Sequence, residues 1–360
     1  MIIYFVITNL WGGGAQKAIL KLAETLQKSI NEVAVITLEA GSAYEIPPGI
    51  RVLSLEAQSK KWGRWFSRRL AAYKLKSLLK KLKPADLVIS TLPYADEVVF
   101  LAGVRQHVAR VANTLGMELG RMREKSRLRS YLRYRKYQRI YSCPQLIAVS
   151  EGVAEDLRGS LHIRNPILVL PNIIEKNDLR LLSACHSDAF KFEAKSYILH
   201  AARFSPQKRH DLLLDVWMEW TEGPPLVLLT NPSQKLELMI RERNLSHRVF
   251  IAGFQKNPYP WYQRAALTVL CSDYEGLPNV LLESLACGTP VVSTNCPSGP
   301  SEILRDYPTC LVPCNDKKSL LKALKRIWES PPSVENYDFS KYSSESVVET
   351  LESLALKLRA

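Results

Sequence analysis

The feature that most restricts this chain is a rhythm that runs twice. Short apolar runs rich in β-branched residues alternate with stretches whose apolar residues recur three and four positions apart. Residues 2–8, 33–38, 87–91, 108–112 and 146–149 read as strands buried on both faces. Helical patterns at 15–28, 62–83 and 120–141 lie between them. A second series begins after an Asp-, Lys- and Ser-rich stretch at 175–195, with strands at 197–201, 226–230, 249–252, 266–271 and 291–293. Helices at 316–329 and 343–358 follow. Strands that alternate with helices form parallel sheets covered on both sides, because each crossover must pack back on the sheet. Two such series predict an α/β protein of two doubly wound, Rossmann-like domains with a cleft between them.

Length and charge narrow the function. A chain of 360 residues can bury two cores. The formal net charge is +14, yet residues 60–139 hold 21 Lys and Arg against 5 Asp and Glu, so this one segment carries the whole imbalance. A patch of that kind suits nucleic acid, an anionic membrane surface or an acidic substrate. Seven cysteines lack paired or zinc-type spacing, as reduced thiols do. No run of 18 apolar residues predicts a membrane span.

The densest chemical signal is Ser272 to Val292, which reads as strand end, tight loop, helix and strand. Pro278 suits the first helical turn and Gly288 the C-terminal cap. The loop would then present the backbone N–H groups of Gly276, Leu277, Asn279 and Val280 at a helix N-terminus, an anion site by geometry and dipole. Glu275 and Glu283 would bracket the anion, one accepting from sugar hydroxyls and the other from a ribose diol. An ordinary capped helix with solvated glutamates is the competing reading. Arg203 and Lys208 add a planar fork and a point charge, suited to a departing diphosphate. Gly12, Gly13 and Gly14 allow close backbone approach, although the spaced dinucleotide fingerprint is absent.

The pattern "EGLPNVLLESLACGTPVV", with seven residues between its two glutamates, resembles the retaining glycosyltransferases of family 4. Gly12–Gly14, "ARFSPQKRHDLLL", "AGFQKNPYPWYQRAALTVLCS" and "CPSGPSEIL" match that family in order. The resemblance implies the GT-B fold, with an acceptor domain over 1–175, a donor domain over 176–340 and a helix over 341–360 returning to the first domain. It implies Glu275, Arg203 and Lys208 as catalytic residues. Gly13, Gly14, Gly276, Leu277, Asn279, Val280, Glu283 and Phe254 would bind a nucleotide-sugar donor, taken as UDP-linked. It further implies retention by a front-face reaction, with no metal and no cofactor. Two places depart from the family. Asn113-Thr114-Leu115-Gly116 stands where a His is common, and Thr230-Asn231-Pro232 replaces a Gly-acidic-Gly turn. His162, His200 and His210 show no partner pattern.

The basic segment mixes cations with aromatics at Lys61, Trp62, Arg64, Trp65, Arg68 and Arg69. Tyr73, Leu75, Leu78, Leu79 and Leu82 continue an apolar stripe. A helix of this kind suits an anionic membrane surface, each cation near it contributing about 1 kcal/mol. The acceptor would then be a lipid-linked glycan or polysaccharide, and the enzyme peripheral on the cytoplasmic membrane face. The stripe could equally pack on its own domain. Two alternative functions remain: a nucleotide-sugar epimerase of the same fold, and a basic nucleic-acid-binding protein, for which no binding motif is found.

Overall fold

A computed structural model describes residues 1–29, 32–57, 63–142, 145–184 and 192–359. The chain forms two compact units, Met1–Ile173 with Lys341–Ala360, and Ile174–Ser340.

The first unit holds seven strands: β1 (Ile2–Ile7), β2 (Glu32–Thr37), β3 (Arg51–Ser54), β4 (Leu87–Thr91), β5 (His107–Val111), β6 (Gln145–Ala148) and β7 (Ile167–Val169). All pair in parallel, in the order β3-β2-β1-β4-β5-β6-β7. Strand order therefore reverses between β1 and β4, where an open α/β sheet makes its binding crevice. One face packs Ile3, Phe5, Ile7, Leu87 and Ile89 under the Gly14–Ser29 helix. The Ser344–Arg359 helix completes that core with Val347, Leu351, Leu354 and Ala355, a one-sided spacing of four, three and one. Burial of each Val and Leu is worth roughly 1.5–3 kcal/mol. The C-terminal helix thus belongs to the first unit.

The second unit has six parallel strands: β8 (Ile198–Ala201), β9 (Leu226–Leu229), β10 (Val249–Ile251), β11 (Leu267–Leu270), β12 (Val291–Thr294) and β13 (Leu311–Val312). Their order is β10-β9-β8-β11-β12-β13, with the reversal between β8 and β11.

Three strands escaped the sequence reading. β3, β7 and β13 are sheet edges of two to four residues, mostly half-exposed. Edge strands are kept short, and so few residues leave no legible period. The single basic helix expected over 120–141 is two, Leu115–Lys125 and Arg127–Ile140. Ser126, extended at φ −165°, interrupts it, and its hydroxyl accepts from the Arg129 N–H. The expected stripe on the Gly63–Lys81 helix is also corrected. Leu75 is buried and Leu78, Leu79 and Leu82 pack on the sheet, but Tyr73 is 72% exposed.

A buried polar network ties this unit together. Asp96 accepts from Ser90 Oγ at 2.6 Å and Tyr141 Oη at 2.8 Å, and His107 Nε2 lies 2.8 Å from Ser90 Oγ. Burial pushes the Asp96 carboxyl up to about 7. The folded state therefore binds a proton that the unfolded chain has released. Stability from this group is full below about pH 4 and is lost as pH rises towards 7, on the order of 4 kcal/mol in all. His107, lowered to about 4 by burial, acts with the opposite sign. In urea unfolding from pH 4 to 8, wild type minus Asp96→Asn should fall with pH and level off above 7. A difference independent of pH would contradict this.

Candidate functional site

The residues singled out in the second unit lie on loops leaving the C-terminal ends of its strands. The β8 loop carries Arg203 and the single turn Pro206–Lys208; the β11 loop carries Ser272 to Pro278. These loops flank the reversal of strand order. Two hydrogen bonds lock them together: Asp273 N–H donates to Gln207 O at 2.9 Å, and the Gln207 side-chain Nε2 to Tyr274 O at 2.6 Å. Lys208 Nζ consequently lies 2.5 Å from Glu275 Oε1, with the two side chains 17% and 10% exposed.

Arg209 was not anticipated. It occupies the left-handed region at φ 50°, and its guanidinium bonds Asp211, Asp273 at 3.0 Å and Asn315. This clamp sets where the β8 loop ends and the His210–Glu219 helix begins. Nothing in the spacing of charges distinguishes Arg209 from Lys208 beside it.

A third loop, after β12, closes on the second. Glu275 N–H donates to Pro297 O at 3.1 Å. Gly299 has φ 96°, and a Cβ there would stand 2.4 Å from Pro278 Cδ and 3.0 Å from Gly276 O. Only glycine allows this contact. The Asn279–Ala286 helix starts without a side-chain cap, and Pro278 is its N-cap rather than a first-turn residue as expected. Its first turn directs backbone N–H groups and the positive dipole end into the loop. The helix is fixed on the sheet by Ser284 Oγ, which donates to Thr268 Oγ1 at 2.8 Å.

The two glutamates have different surroundings. Glu275 faces an ammonium. Glu283, 6% exposed, faces the phenol of Tyr262, whose hydroxyl is held well above its usual range by burial, by the Glu283 charge and by their hydrogen bond. Arg203 is exposed and has no ion-pair or hydrogen-bond partner among the described residues. Phe254 follows β10 at Gly253, φ 79°, and is 46% exposed. Thr230, in the turn that departs from the family pattern, accepts from Phe204 N–H at 3.1 Å and so joins the β8 and β9 loops.

His200 and His210 belong to the core. Their rings stand 4.8 Å apart, and burial lowers them to about 4 and about 3. Both are neutral at physiological pH. Burial also pushes the Cys271 thiol up to about 12, which makes it unreactive. Among the described residues no group of three or more His, Cys, Asp or Glu could hold a metal ion.

In the first unit, Gly12 and Gly13 have φ 92° and 143°, and Gly14 opens the first helix. The Tyr44 hydroxyl accepts from Gly13 N–H at 2.9 Å and lies 3.2 Å from Gly13 O. This loop leaves β1 where strand order reverses. Arg110, near the end of β5, was missed. It is 2% exposed, donates to Asn172 Oδ1 at 2.5 Å, leaves Nε and Nη1 unsatisfied, and is lowered to about 10 by burial.

Of the basic-segment residues, Lys61 and Trp62 lie outside the described residues, as do the side chains of Arg64 and Trp65. Arg69 is exposed. Arg68 is 2.9 Å from Glu97, which also pairs with Lys136 at 2.5 Å. The Gly63–Lys81 and Arg127–Ile140 helices therefore share one face of the unit. Phe66, Leu70 and Tyr73 are exposed on one helix, and Leu128, Tyr131 and Leu132 on the other. No helix among the described residues is long and apolar enough to cross a membrane.

Comparison with known proteins agrees with this layout. Residues 186–344 match the family described as glycosyl transferases group 1, and residues 12–178 that described as glycosyltransferase family 4. The chain is 27% identical over 331 residues to the N-acetylgalactosamine-N,N'-diacetylbacillosaminyl-diphospho-undecaprenol 4-alpha-N-acetylgalactosaminyltransferase of Campylobacter jejuni, covering 90% of this chain and 89% of that one. It is 27% identical to an uncharacterized glycosyltransferase of Methanocaldococcus jannaschii over 64% of this chain and 61% of that one. A TarM variant from S. aureus, solved with fondaparinux, α-GlcNAc-glycerol and UDP, superposes with a TM-score of 0.75 at 13% identity, covering 99% and 100% of the two chains.

Proposed function

The chain belongs to the group 1 and family 4 glycosyltransferases of GT-B fold, and from that premise we propose that it transfers a hexose or N-acetylhexosamine from a UDP-sugar to a lipid-linked or polysaccharide acceptor, with retention. The observation that carries this reading is the meeting of Lys208 and Glu275 at the sheet's point of reversal, in the loop that leads into a helix N-terminus without a side-chain cap, with Arg203 exposed in the same β8 loop as Lys208.

Charge builds on the diphosphate as its bond to the sugar breaks. Arg203, Lys208 and the N–H groups of the 276–280 segment stabilise it in place, and the site calls on no metal ion or cofactor. Glu275 turns from the Lys208 ammonium toward the sugar hydroxyls, and Glu283 takes the ribose diol. Phe254 offers an exposed ring to the base. The anomeric carbon loses its phosphate oxygen and gains the acceptor oxygen on the same face. The acceptor proton passes to the departing phosphate, so no protein base is required. UDP in the TarM complex, and the diphospho-undecaprenol glycan in the name of the Campylobacter relative, support this donor and acceptor.

The shared basic and apolar face of the first unit is where the enzyme would rest peripherally on an anionic membrane, on its cytoplasmic side. Aromatic and leucine side chains among cations suit the headgroup boundary.

A thermal-shift screen of nucleotide sugars tests the donor. Ligand at a hundred times its Kd stabilises the native state by about 2.7 kcal/mol. UDP-sugars should raise Tm by several degrees, and GDP- and ADP-sugars should not. A flat response throughout defeats the donor reading. Pelleting with phosphatidylglycerol vesicles should exceed that with phosphatidylcholine; equal pelleting defeats the membrane reading.

A further inference from the structure

We propose that Trp11 is a stacking platform for a sugar ring of the acceptor, and so a specificity-determining residue in the first unit; this rests on the acceptor role given to that unit above. Trp11 stands in the loop that leaves β1 at the reversal of strand order, where α/β sheets take their ligands. It is 62% exposed, among the most exposed large apolar side chains described.

The ring is exposed but not loose. Its Nε1 donates to Ala40 O at 3.0 Å, and its backbone N–H to Asn9 Oδ1 at 3.3 Å. One side of the indole lies against Gly41, where a Cβ would stand 2.3 Å from the ring. Gly41 has φ 96°, so a larger residue would be strained and would have to push the ring aside. The loop beneath is fastened by a bridge between Leu10 and Ser42, by Ala43 N–H donating to Leu10 O at 2.9 Å, and by Tyr44 at Gly13. Asn9, whose Oδ1 accepts from the Trp11 backbone N–H, donates its Nδ2 to Glu39 Oε2 at 2.8 Å, so the same loop carries an amide and a carboxylate.

This arrangement matches the chemistry of a pyranose. Such a ring is apolar on the face where its C–H bonds point and polar around its edge. A flat electron-rich surface meets the C–H face, and adjacent polar groups take the hydroxyls. Because the indole is already pinned, binding orders little that was free. A tryptophan that served only to pack would put this area into the core rather than hold it rigidly in water.

Methyl α-N-acetylgalactosaminide and methyl α-glucoside, with sorbitol as a control polyol, test this on the full chain by tryptophan fluorescence. At least one glycoside should quench wild type saturably and sorbitol should not; Trp11→Phe should lack that quench. In transfer assays Trp11→Ala should raise acceptor KM about tenfold, the loss carried by KM rather than kcat, with Trp11→Phe recovering most of it. Gly41→Ala, which displaces the ring without removing it, should weaken the quench. Persistence of the quench in Trp11→Phe, or quenching by neither glycoside in wild type, overturns the proposal. The Tm response of the same wild-type sample to UDP judges the donor reading separately.

Discussion

Replacing Lys208 by Met is expected to lower kcat by about two to three orders of magnitude, the cost of one well-placed electrostatic donor to the leaving group. The substitution acts twice. It removes the charge that meets the diphosphate, and it leaves Glu275 partly buried without its ammonium 2.5 Å away. The second effect should cost about 2 kcal/mol of stability, the figure for a broken buried pair discounted for residual exposure. The double variant Lys208→Met/Glu275→Gln separates the two. Stability should return while activity does not. Single-turnover kinetics with urea unfolding on both variants reads this out, and recovery of activity in the double variant would show that Lys208 serves only to offset the Glu275 charge.

Arg203→Gln has a different signature. Arg203 is exposed and bonds no described residue, so its removal should shift stability by no more than about 0.5 kcal/mol. Affinity for UDP should nevertheless fall about ten- to a hundredfold, because a charge-assisted bond to phosphate is lost. Calorimetric titration of UDP at constant salt measures it. Unchanged affinity would place the diphosphate elsewhere and undo the assignment of the β8 loop. The contrast between a pre-paired Lys208 and an unpaired Arg203 follows from their positions: one is locked under the β11 loop, the other stands before it.

These contrasts mark what the sequence could and could not disclose. The repeating runs revealed both sheets, because strands buried on both faces are apolar throughout. They hid β3, β7 and β13, which lie at edges where water covers part of each strand. The 272–280 segment was legible as a tight loop running into a helix, because a glycine, a proline and acidic residues crowd one strand–helix junction. The partnership of Lys208 with Glu275 was not, since 67 residues separate them and it takes the bonds of Gln207 and Arg209 to the β11 loop to bring them together. Arg209 and Arg110 gave no signal at all. A guanidinium reads the same in a sequence whether it clamps three loops, lies partly satisfied on a strand or faces solvent. Tyr73 shows the converse error: it fits a helical period by number, yet points away from the face its neighbours bury.

The Ser344–Arg359 helix reaches the first unit only after the whole of Ile174–Ser340 has been laid down. During synthesis the second unit is therefore complete in sequence before the first, although the first begins emerging earlier. One side of the seven-stranded core is complete only when Val347, Leu351 and Leu354 join the cluster that holds Ile3, Phe5 and Ile7. Of the two units, the one built on β1 therefore closes after the other, with part of its apolar core uncovered until the Ser344–Arg359 helix is made.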